Sequence, residues 1–207
     1  NECGADALRT YEMFIGDYEK EVAWSTNGLK GCKRFLDKLW RMQNNLIEDE
    51  QYSKDLESLI HKTIKKVTND IETMKYNTAI SALMILLNAY EQQKTITKGD
   101  LRTFLILLNP MAPHITEEIN EINKLGEPLY ASNWPSFDES KTIDDTYELV
   151  IQVNGKVRSK LTVDRELSEE EMKELALGQD NIKKYIDNYH VIKIIIIPRR
   201  VVNIVVK

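Results

Sequence analysis

The residues with catalytic potential in this sequence are few and scattered. The histidines His61, His114 and His190 lie far apart, and neither cysteine has a histidine beside it. There is no glycine-rich phosphate loop, no hydrolase-type serine turn and no HExxH zinc motif. One His-x-x-Glu spacing joins His114 to Glu117, but a di-iron bundle needs this motif twice with two further glutamates. We therefore predict neither a catalytic centre nor a metal site in this chain.

A stripe of basic side chains is the clearest functional signal. Taken at about 100° per residue, the cations of the first long predicted helix fall within an arc of about 80°, opposite the apolar residues. Solvated helices usually alternate acids and bases, whereas here only Asp37 intervenes. Such a stripe suits the phosphates of a nucleic acid, and a solvated helix face is the alternative. Its members are Lys30, Arg34, Lys38 and Arg41.

A second basic cluster lies in the middle of the next predicted helix. Lys62 and Lys65 are its main candidates, with His61 and Lys66 beside them. Complementation of the helix dipole does not explain cations in the middle of a helix. Two basic patches on neighbouring helices favour an anionic polymer as the ligand.

A third group of cations lies on predicted strands and turns near the C-terminus. Its three strand residues alternate, so we expect them to point to one face of the sheet. Such a face suits a nucleic-acid backbone, and protection of an edge strand by lysine is the alternative. Aromatic residues are not interleaved, which favours structured RNA over stacked single strands. The members are Lys156, Arg158 and Lys160 on a strand and Arg199 and Arg200 in a turn.

The elements that must position these cations differ along the chain. In the first part, apolar residues recur with a helical period, and short connections between long amphipathic helices predict an antiparallel bundle. Residues 147–207 predict two strands, two short helices, the second at about 181–188, and two further strands. The predicted fold is mainly an α-helical bundle followed by a small α+β domain with the order ββααββ.

Turn and capping residues mark several element ends. Thr97 with Asp100, and Ser168 with Glu171, have capping-box spacing, and Asn77 is a candidate N-cap. The dipeptide at 154–155 is Asn-Gly, which predicts a type I′ hairpin because that turn needs positive φ at both positions. Between the two domains, Trp134 and Phe137 are expected to attach part of an irregular connection to the bundle.

Composition limits the class of protein. The net charge is −5, from 28 basic and 33 acidic residues, so the chain as a whole is no polycation. With 42% hydrophobic and 29% charged residues it is not disordered overall.

Two cysteines exclude a disulfide scaffold or a zinc ribbon. No apolar run reaches the roughly 18 to 20 residues of a membrane helix. Without a signal peptide or an initiator Met, we expect a cytosolic piece of a larger protein.

Nine short motifs together resemble the C-terminal portion of the bacterial-type leucyl-tRNA synthetases, which are class I enzymes. The resemblance covers essentially the whole chain. The bundle motifs would also fit valyl or isoleucyl enzymes, and the two C-terminal motifs favour leucyl. The motifs are GADALR at 4–9, YEMF at 11–14, WSTNG at 24–28, RFLD at 34–37, HKTI at 61–64, YNTAI at 76–80, PMAPHI at 110–115, VNGKVR at 153–158 and VNIVV at 202–206.

The resemblance implies a division of labour along the chain. The whole enzyme would ligate leucine to its tRNA with ATP and Mg, as a cytoplasmic monomer without membrane association. The ATP and leucine sites would lie outside this chain, which would carry no cofactor and would grip and orient tRNA. The implied segments are the end of the catalytic body at 1–26, an anticodon-binding-type bundle at 27–137, a linker at 138–146 and a tRNA-binding domain at 147–207.

Site residues follow from the resemblance only in the hairpin, where Lys156 and Arg158 match the family motif. The remaining cations rest on charge geometry. The chain departs from the family at Asn120, where the family usually has Trp, and at Arg199, where it usually has Gly. We expect the first departure to weaken packing at the bundle end and the second to require a turn that accepts a side chain.

A protein-interaction module is the alternative to a tRNA-binding region. Its bundle grooves would hold a partner helix, or an exposed sheet edge would pair with a strand. Salt dependence separates the two hypotheses, because counterion release makes RNA binding steeply salt-sensitive.

Overall fold

Apolar residues spaced three and four apart make the first two-thirds of the chain helical. The computed structural model describes residues 3–16, 21–143, 146–186 and 189–207. It divides into two units, unit 1 at Asn1–Thr142 and unit 2 at Ile143–Lys207. The helices of unit 1 are α1 (Ala5–Phe14), α2 (Thr26–Met42), α3 (Glu57–Glu72), α4 (Tyr76–Gln93), α5 (Lys98–Leu108) and α6 (Pro113–Ile122).

The apolar faces of these helices form one core. Among its fully buried members are Leu39 of α2, Ile64 of α3, Leu87 of α4 and Phe104 of α5. A short parallel pairing of β1 (Leu46–Ile47) with β2 (Ile96–Thr97), for which the sequence carries no strand signal, joins the segment after α2 to the segment before α5. No helix in the described part of the chain is long and apolar enough to span a bilayer.

Asp100, at the start of α5, is a fully buried carboxylate with several donors. The predicted capping box is confirmed: Thr97 Oγ1 accepts from the Asp100 amide at 3.0 Å, and the Thr97 amide donates to Asp100 Oδ2 at 3.3 Å. Ser53 adds its amide, at 3.1 Å from Oδ1, and its hydroxyl, on Oδ2. Asp100 therefore ties the segment before α3 to the start of α5.

A second buried carboxylate, Asp6, joins α1 to the start of α6. Its Oδ2 accepts the Ile115 amide at 2.7 Å, and its Oδ1 lies 2.7 Å from His114 Nδ1. The N-cap of α6 itself, Ala112, forms no side-chain cap. Asp6 therefore supplies from another helix the negative charge that the first turn of α6 favours.

Arg102 of α5 organises the chain after α6. One of its guanidinium nitrogens, Nη1, donates to Asn120 Oδ1 at 3.1 Å and to the Leu125 carbonyl at 2.7 Å. Asn120 is buried and donates in turn to the Glu127 carbonyl at 3.1 Å. Polar contacts thus surround Asn120, the position at which the sequence departs from the Trp usual in the resembled family.

The predicted N-cap at Asn77 is wrong. Helix α4 begins at Tyr76 with Lys75 in the capping position. Met74 adopts a left-handed φ of 57°, and the Lys75 amide donates to the Asp70 carbonyl at 2.7 Å. Because the connection from α3 is this short, the helical hydrogen bonds begin at the Lys75 carbonyl, which leaves no room for a later cap.

Unit 2 is a four-stranded sheet covered on one face by two helices. The strand order is β4-β3-β6-β5, with β3 and β6 parallel and both outer pairs antiparallel. The core side carries Leu149, Ile151, Val202 and Ile204, packed beneath Met172 and its helix neighbours. The elements are β3 (Thr146–Val153), β4 (Lys156–Asp164), α7 (Glu169–Gly178), α8 (Asp180–Ile186), β5 (Val191–Ile197) and β6 (Val201–Val206).

Local signals in unit 2 are confirmed. Asn154 and Gly155 have φ values of 47° and 77°, as the hairpin prediction requires. Ser168 and Glu171 form the predicted capping box. The prediction of a helical bundle with a small sheet-containing domain is therefore confirmed. Residues 187 and 188, at the end of the predicted helix 181–188, and residues 144 and 145 of the predicted linker lie outside the described residues.

Replacing the buried Asp100 tests whether its hydrogen bonds stabilise unit 1. Asp100→Ala keeps the bond from the residue-100 amide to Thr97 Oγ1 but removes the side-chain half of the capping box. It leaves the amides of Ser53 and Thr97 without their acceptor. We expect the free energy of unfolding to fall by about 2 to 4 kcal/mol, measured by urea denaturation. The control is Asp55→Ala at an exposed position, expected to change it by less than about 0.5 kcal/mol. Equal effects of the two substitutions would contradict this role.

Candidate nucleic-acid interface

Helix α2 presents its basic side to solvent because its apolar side is buried. Ser25 caps the helix by accepting the Gly28 amide at 3.2 Å. Phe35, Leu36 and Leu39 on the apolar side are all buried. The orientation predicted from periodicity is therefore confirmed. The cations Lys30, Arg34 and Arg41 are exposed, and Lys38 is half-buried.

Three of these cations line a groove between α2 and α4. Arg34, Lys38 and Arg41 lie on its α2 wall together with Asp37, which pairs with Lys33 at 2.8 Å, and Met84 and Asn88 belong to its α4 wall. Arg34 and Arg41 are seven positions apart on α2, which is about 10 Å along the helix axis at 1.5 Å per residue. We call the three cations the α2 ridge.

The members of the α2 ridge differ in their contacts. Lys38 Nζ lies 2.6 Å from Glu91 Oε2 and 2.8 Å from Asn88 Oδ1 on α4. Within the described residues, the guanidinium groups of Arg34 and Arg41 form no hydrogen bond or ion pair. The two guanidinium groups are thus free to bind an anion, while Lys38 is held by the protein itself.

The basic cluster of α3 is engaged with acids. Lys66 pairs with Asp70 at 2.7 Å, and Lys65 pairs with Glu139 at 2.5 Å. Lys62, Lys65 and Lys66 line a shallow groove along α3. Since the carboxylates offset part of the positive charge, this cluster is a weaker electrostatic site than the sequence predicted.

Residues that follow the bundle lie against α3. The indole Nε1 of Trp134 donates to Thr68 Oγ1 at 2.8 Å, and the Phe137 ring lies 5.7 Å from Lys65 Nζ. Attachment of this connection through both aromatic residues is therefore confirmed. A helical turn at Glu139–Thr142, inside the predicted linker, also packs on α3 and belongs to unit 1.

The prediction that the three cations of β4 share one face is wrong. Ser159 pairs with Ile151 and Val157 with Gln152, so Arg158 is the extra residue of a β-bulge. A bulge interrupts the alternation of side chains along the strand. Strand alternation alone cannot reveal this, because the register depends on the partner strand.

Arg158 in the bulge and Lys160 beyond it lie in different surroundings. Arg158 Cζ lies over the Tyr185 ring of α8, 4.1 Å from its centroid, on the helix-covered side. Lys160 pairs with Glu148 at 2.9 Å, and its register partner Val150 alternates with the buried Leu149 and Ile151. Lys160 therefore lies on the open face of the sheet. Within the part of the chain that the structure describes, the Arg158 guanidinium forms no hydrogen bond or ion pair, so its N–H donors remain available to an anion.

Arg199 and Arg200 form the turn between β5 and β6. Arg199 has a left-handed φ of 58°. The Arg200 carbonyl accepts a hydrogen bond from the Val150 amide at 3.1 Å, which places this turn beside Val150 of β3. Lys156 of the hairpin pairs instead with Val153 of β3. Burial raises the pKa of Tyr147, and the nearby Arg199 partly offsets this. The turn and the hairpin cations therefore lie at different levels along β3, three residues or about 10 Å apart.

The contacts that decide which cations are available come from distant parts of the sequence. Asn88 and Glu91 meet Lys38 across about fifty residues, and Tyr185 meets Arg158 from another element. No short spacing in the sequence signals these partners. Among the described residues, no three His, Cys, Asp or Glu side chains are grouped so as to hold a metal ion.

Comparison with known proteins gives consistent matches. A family model described as the anticodon-binding domain of tRNA ligase matches residues 53–174. Leucine–tRNA ligase from Alkaliphilus oremlandii (strain OhILAs) is 47% identical over 206 residues, covering all of this chain and 26% of that protein. The chain thus spans about a quarter of the length of this curated relative.

A solved structure is similar over the whole chain. It is the crystal structure of the ternary complex of Agrobacterium radiobacter K84 agnB2 LeuRS-tRNA-LeuAMS, with a TM-score of 0.77 and 26% identity. The match covers all of this chain and 29% of the solved one.

The unusual backbone of Arg199 makes a testable prediction about stability. A left-handed conformation costs a residue with a side chain about 1 to 2 kcal/mol, and glycine avoids this cost. We expect Arg199→Gly to raise the free energy of unfolding of unit 2 by about 1 kcal/mol. Arg200→Gly is the matched control: Arg200 does not have a positive φ, so glycine there should lower stability slightly. Urea denaturation followed by circular dichroism compares them, and a loss of stability in Arg199→Gly would refute the prediction.

Proposed function

This chain belongs to the family of anticodon-binding domains of tRNA ligases, and on that premise we propose that it is the tRNA-gripping C-terminal region of a leucine–tRNA ligase. The family match, the similar leucine–tRNA ligase and the similar structure solved with tRNA support this assignment. In this proposal the chain binds and orients tRNA. Ligation of leucine, with ATP and Mg, belongs to the rest of a longer cytoplasmic, monomeric enzyme.

The α2 ridge is the observation that carries a role in RNA binding. It places two exposed guanidinium groups and an ammonium within about 10 Å on one groove wall. Arginine binds phosphate oxygens with two parallel hydrogen bonds. We propose that Arg34 and Arg41 bind phosphates of the tRNA backbone and that Lys30 adds to the positive electrostatic potential around them. Lys38 would hold the two walls of the groove together through its ion pair with Glu91.

We propose that the remaining cations contribute to tRNA binding to different extents. On α3, Lys62 and Lys65 would contribute less, because Lys65 is paired with Glu139. In unit 2, we propose that the ββααββ domain makes its own contact with tRNA. Arg158, held by Tyr185, and Lys156 would act at the hairpin, and Lys160, Arg199 and Arg200 would act elsewhere on the sheet.

Holding tRNA contributes to catalysis through geometry. The reacting end of the tRNA must reach an active site outside this chain, and a misplacement of about 1 Å can cost around a hundredfold in rate. Backbone contacts fix position and orientation without reading sequence. A region with this role therefore needs well-placed cations rather than catalytic groups.

Direct binding measurements test this proposal. We expect the chain to bind leucine tRNA with an affinity that falls as salt rises from about 50 to 200 mM, because cations replace condensed counterions. The double substitution of Arg34 and Arg41 by Ala should weaken binding and reduce the slope of log affinity against log salt by about 2, one for each lost phosphate contact. Fluorescence anisotropy with labelled tRNA measures both quantities.

The control removes the same charge elsewhere in unit 1. Lys54 and Lys75 are exposed and lie away from the α2 ridge, so their joint replacement by Ala should leave the salt slope nearly unchanged. A non-cognate tRNA shows whether recognition lies in this chain. Salt-independent binding, or equal losses in the two double variants, would contradict the proposed role of the α2 ridge.

A further inference from the structure

Residues 134–142, which we call the strap, run along α3 in the opposite chain direction. Trp134 contacts Thr68 near one end of α3, and Lys141 Nζ pairs with Glu57 Oε1 at 2.5 Å at the other. These α3 positions are eleven residues apart, or about 16 Å along the helix axis. Between them, Glu139 pairs with Lys65. The strap is therefore held by a row of polar contacts rather than by a deep apolar core.

His61 makes the central contact with the strap. Its Nδ1 accepts the backbone amide of Asp138 at 3.1 Å. The ring is only 7% exposed and stands edge-on to Tyr52, with the ring centroids 5.5 Å apart. An imidazole nitrogen accepts a hydrogen bond only while it carries no proton. The contact therefore requires neutral His61 with its proton on Nε2.

The charged groups around His61 come from both packed elements. Glu57, one turn earlier on α3, and Asp138 of the strap favour the protonated ring, and Lys141 of the strap disfavours it. Burial is the largest influence and lowers the pKa of His61 below its ordinary value of 6.5, and Lys141 lowers it further. The closed strap and the protonated ring are therefore in competition.

We propose that the strap is a proton-sensitive clamp that opens when His61 takes up a proton. The proton comes from solvent and binds Nδ1, which changes from an acceptor to a donor and faces the Asp138 N–H, another donor. The hydrogen bond is lost, and the charged ring gains water only when the strap leaves α3. Opening separates Glu139 from Lys65 and adds the charge of His61, so the α3 surface becomes more positive.

The direction of the pH effect follows from linkage. Because the pKa of His61 is lower with the strap closed, the closed form is fully favoured above about pH 6.5. Between about pH 6.5 and the lower pKa that His61 has in the closed form, the equilibrium constant for opening of the strap rises by up to about tenfold for each unit by which the pH falls. Resting on the proposed function, this opening would strengthen the contribution of α3 to RNA binding in mildly acidic conditions.

Hydrogen exchange of the whole chain tests the clamp without any RNA. We would measure by NMR the protection factor of the Asp138 amide, corrected for the intrinsic exchange rate, at pH 7.5 and 5.5. We expect protection to be about three- to tenfold lower at pH 5.5. The amide of Leu87, in the buried core of α4, should keep its protection, which separates opening of the strap from global unfolding.

Two histidine substitutions sharpen the test. His61→Gln keeps an acceptor near Asp138 and removes the titration, so protection should no longer depend on pH. His190→Gln changes an exposed histidine of unit 2 and should retain the wild-type fall. NMR titration of the His61 ring in the wild-type chain supplies a reading that needs no variant, with an expected midpoint below 6.5. Constant wild-type protection, an equal fall in His61→Gln, or a midpoint above 6.5 would overturn the proposal.

Discussion

A buried charge must be paired with hydrogen-bond partners, and the helical unit is assembled around this requirement. Asp100 is completely buried and Asp6 nearly so. Each is satisfied by donors from a different part of the chain, Ser53 in one case and the start of α6 in the other. Leaving either carboxylate unpaired would cost several kcal/mol. The need to satisfy them therefore fixes where the segment before α3 meets α5 and where α1 meets α6.

Contacts within unit 1 also decide which cations remain available to a ligand. Arg102 uses its guanidinium inside unit 1, where it holds Asn120 and the carbonyls that follow α6. Lys65 and Lys66 are paired with Glu139 and Asp70. The exposed arginines of the α2 ridge have no such duty. A basic groove thus exists on a chain whose net charge is −5, because within the described residues its two arginines have no acidic partner, whereas Lys65 and Lys66 do.

The strap shows how a structural contact and a binding surface share residues. Lys65 belongs to the basic cluster of α3 and also contacts the strap, through an ion pair with Glu139 and through the Phe137 ring. A lysine can leave such pairs at modest cost, since exposed ion pairs contribute little to stability. The contact of the buried His61 is different, because its Nδ1 can accept the Asp138 amide only while the imidazole is neutral. The surface of α3 is therefore governed by a residue that is not itself exposed.

The sequence by itself determined the features that depend on neighbours within about four residues. These are the helices, from their apolar period, the two capping boxes at Thr97 and Ser168, the Asn154-Gly155 hairpin, and the outward basic side of α2. Its motifs also carried the resemblance to one enzyme family. Each of these signals is local, because helix faces, caps and tight turns are set by bonds between residues close along the chain.

Only the tertiary structure decided which cations are free and which way they point. Lys38 meets Glu91, and Lys65 meets Glu139, across 53 and 74 residues. The bulge at Arg158 arises from the register between β3 and β4, which the alternation within one strand does not contain. Ion pairing and register depend on which elements fold against one another, and no spacing within a single element specifies that.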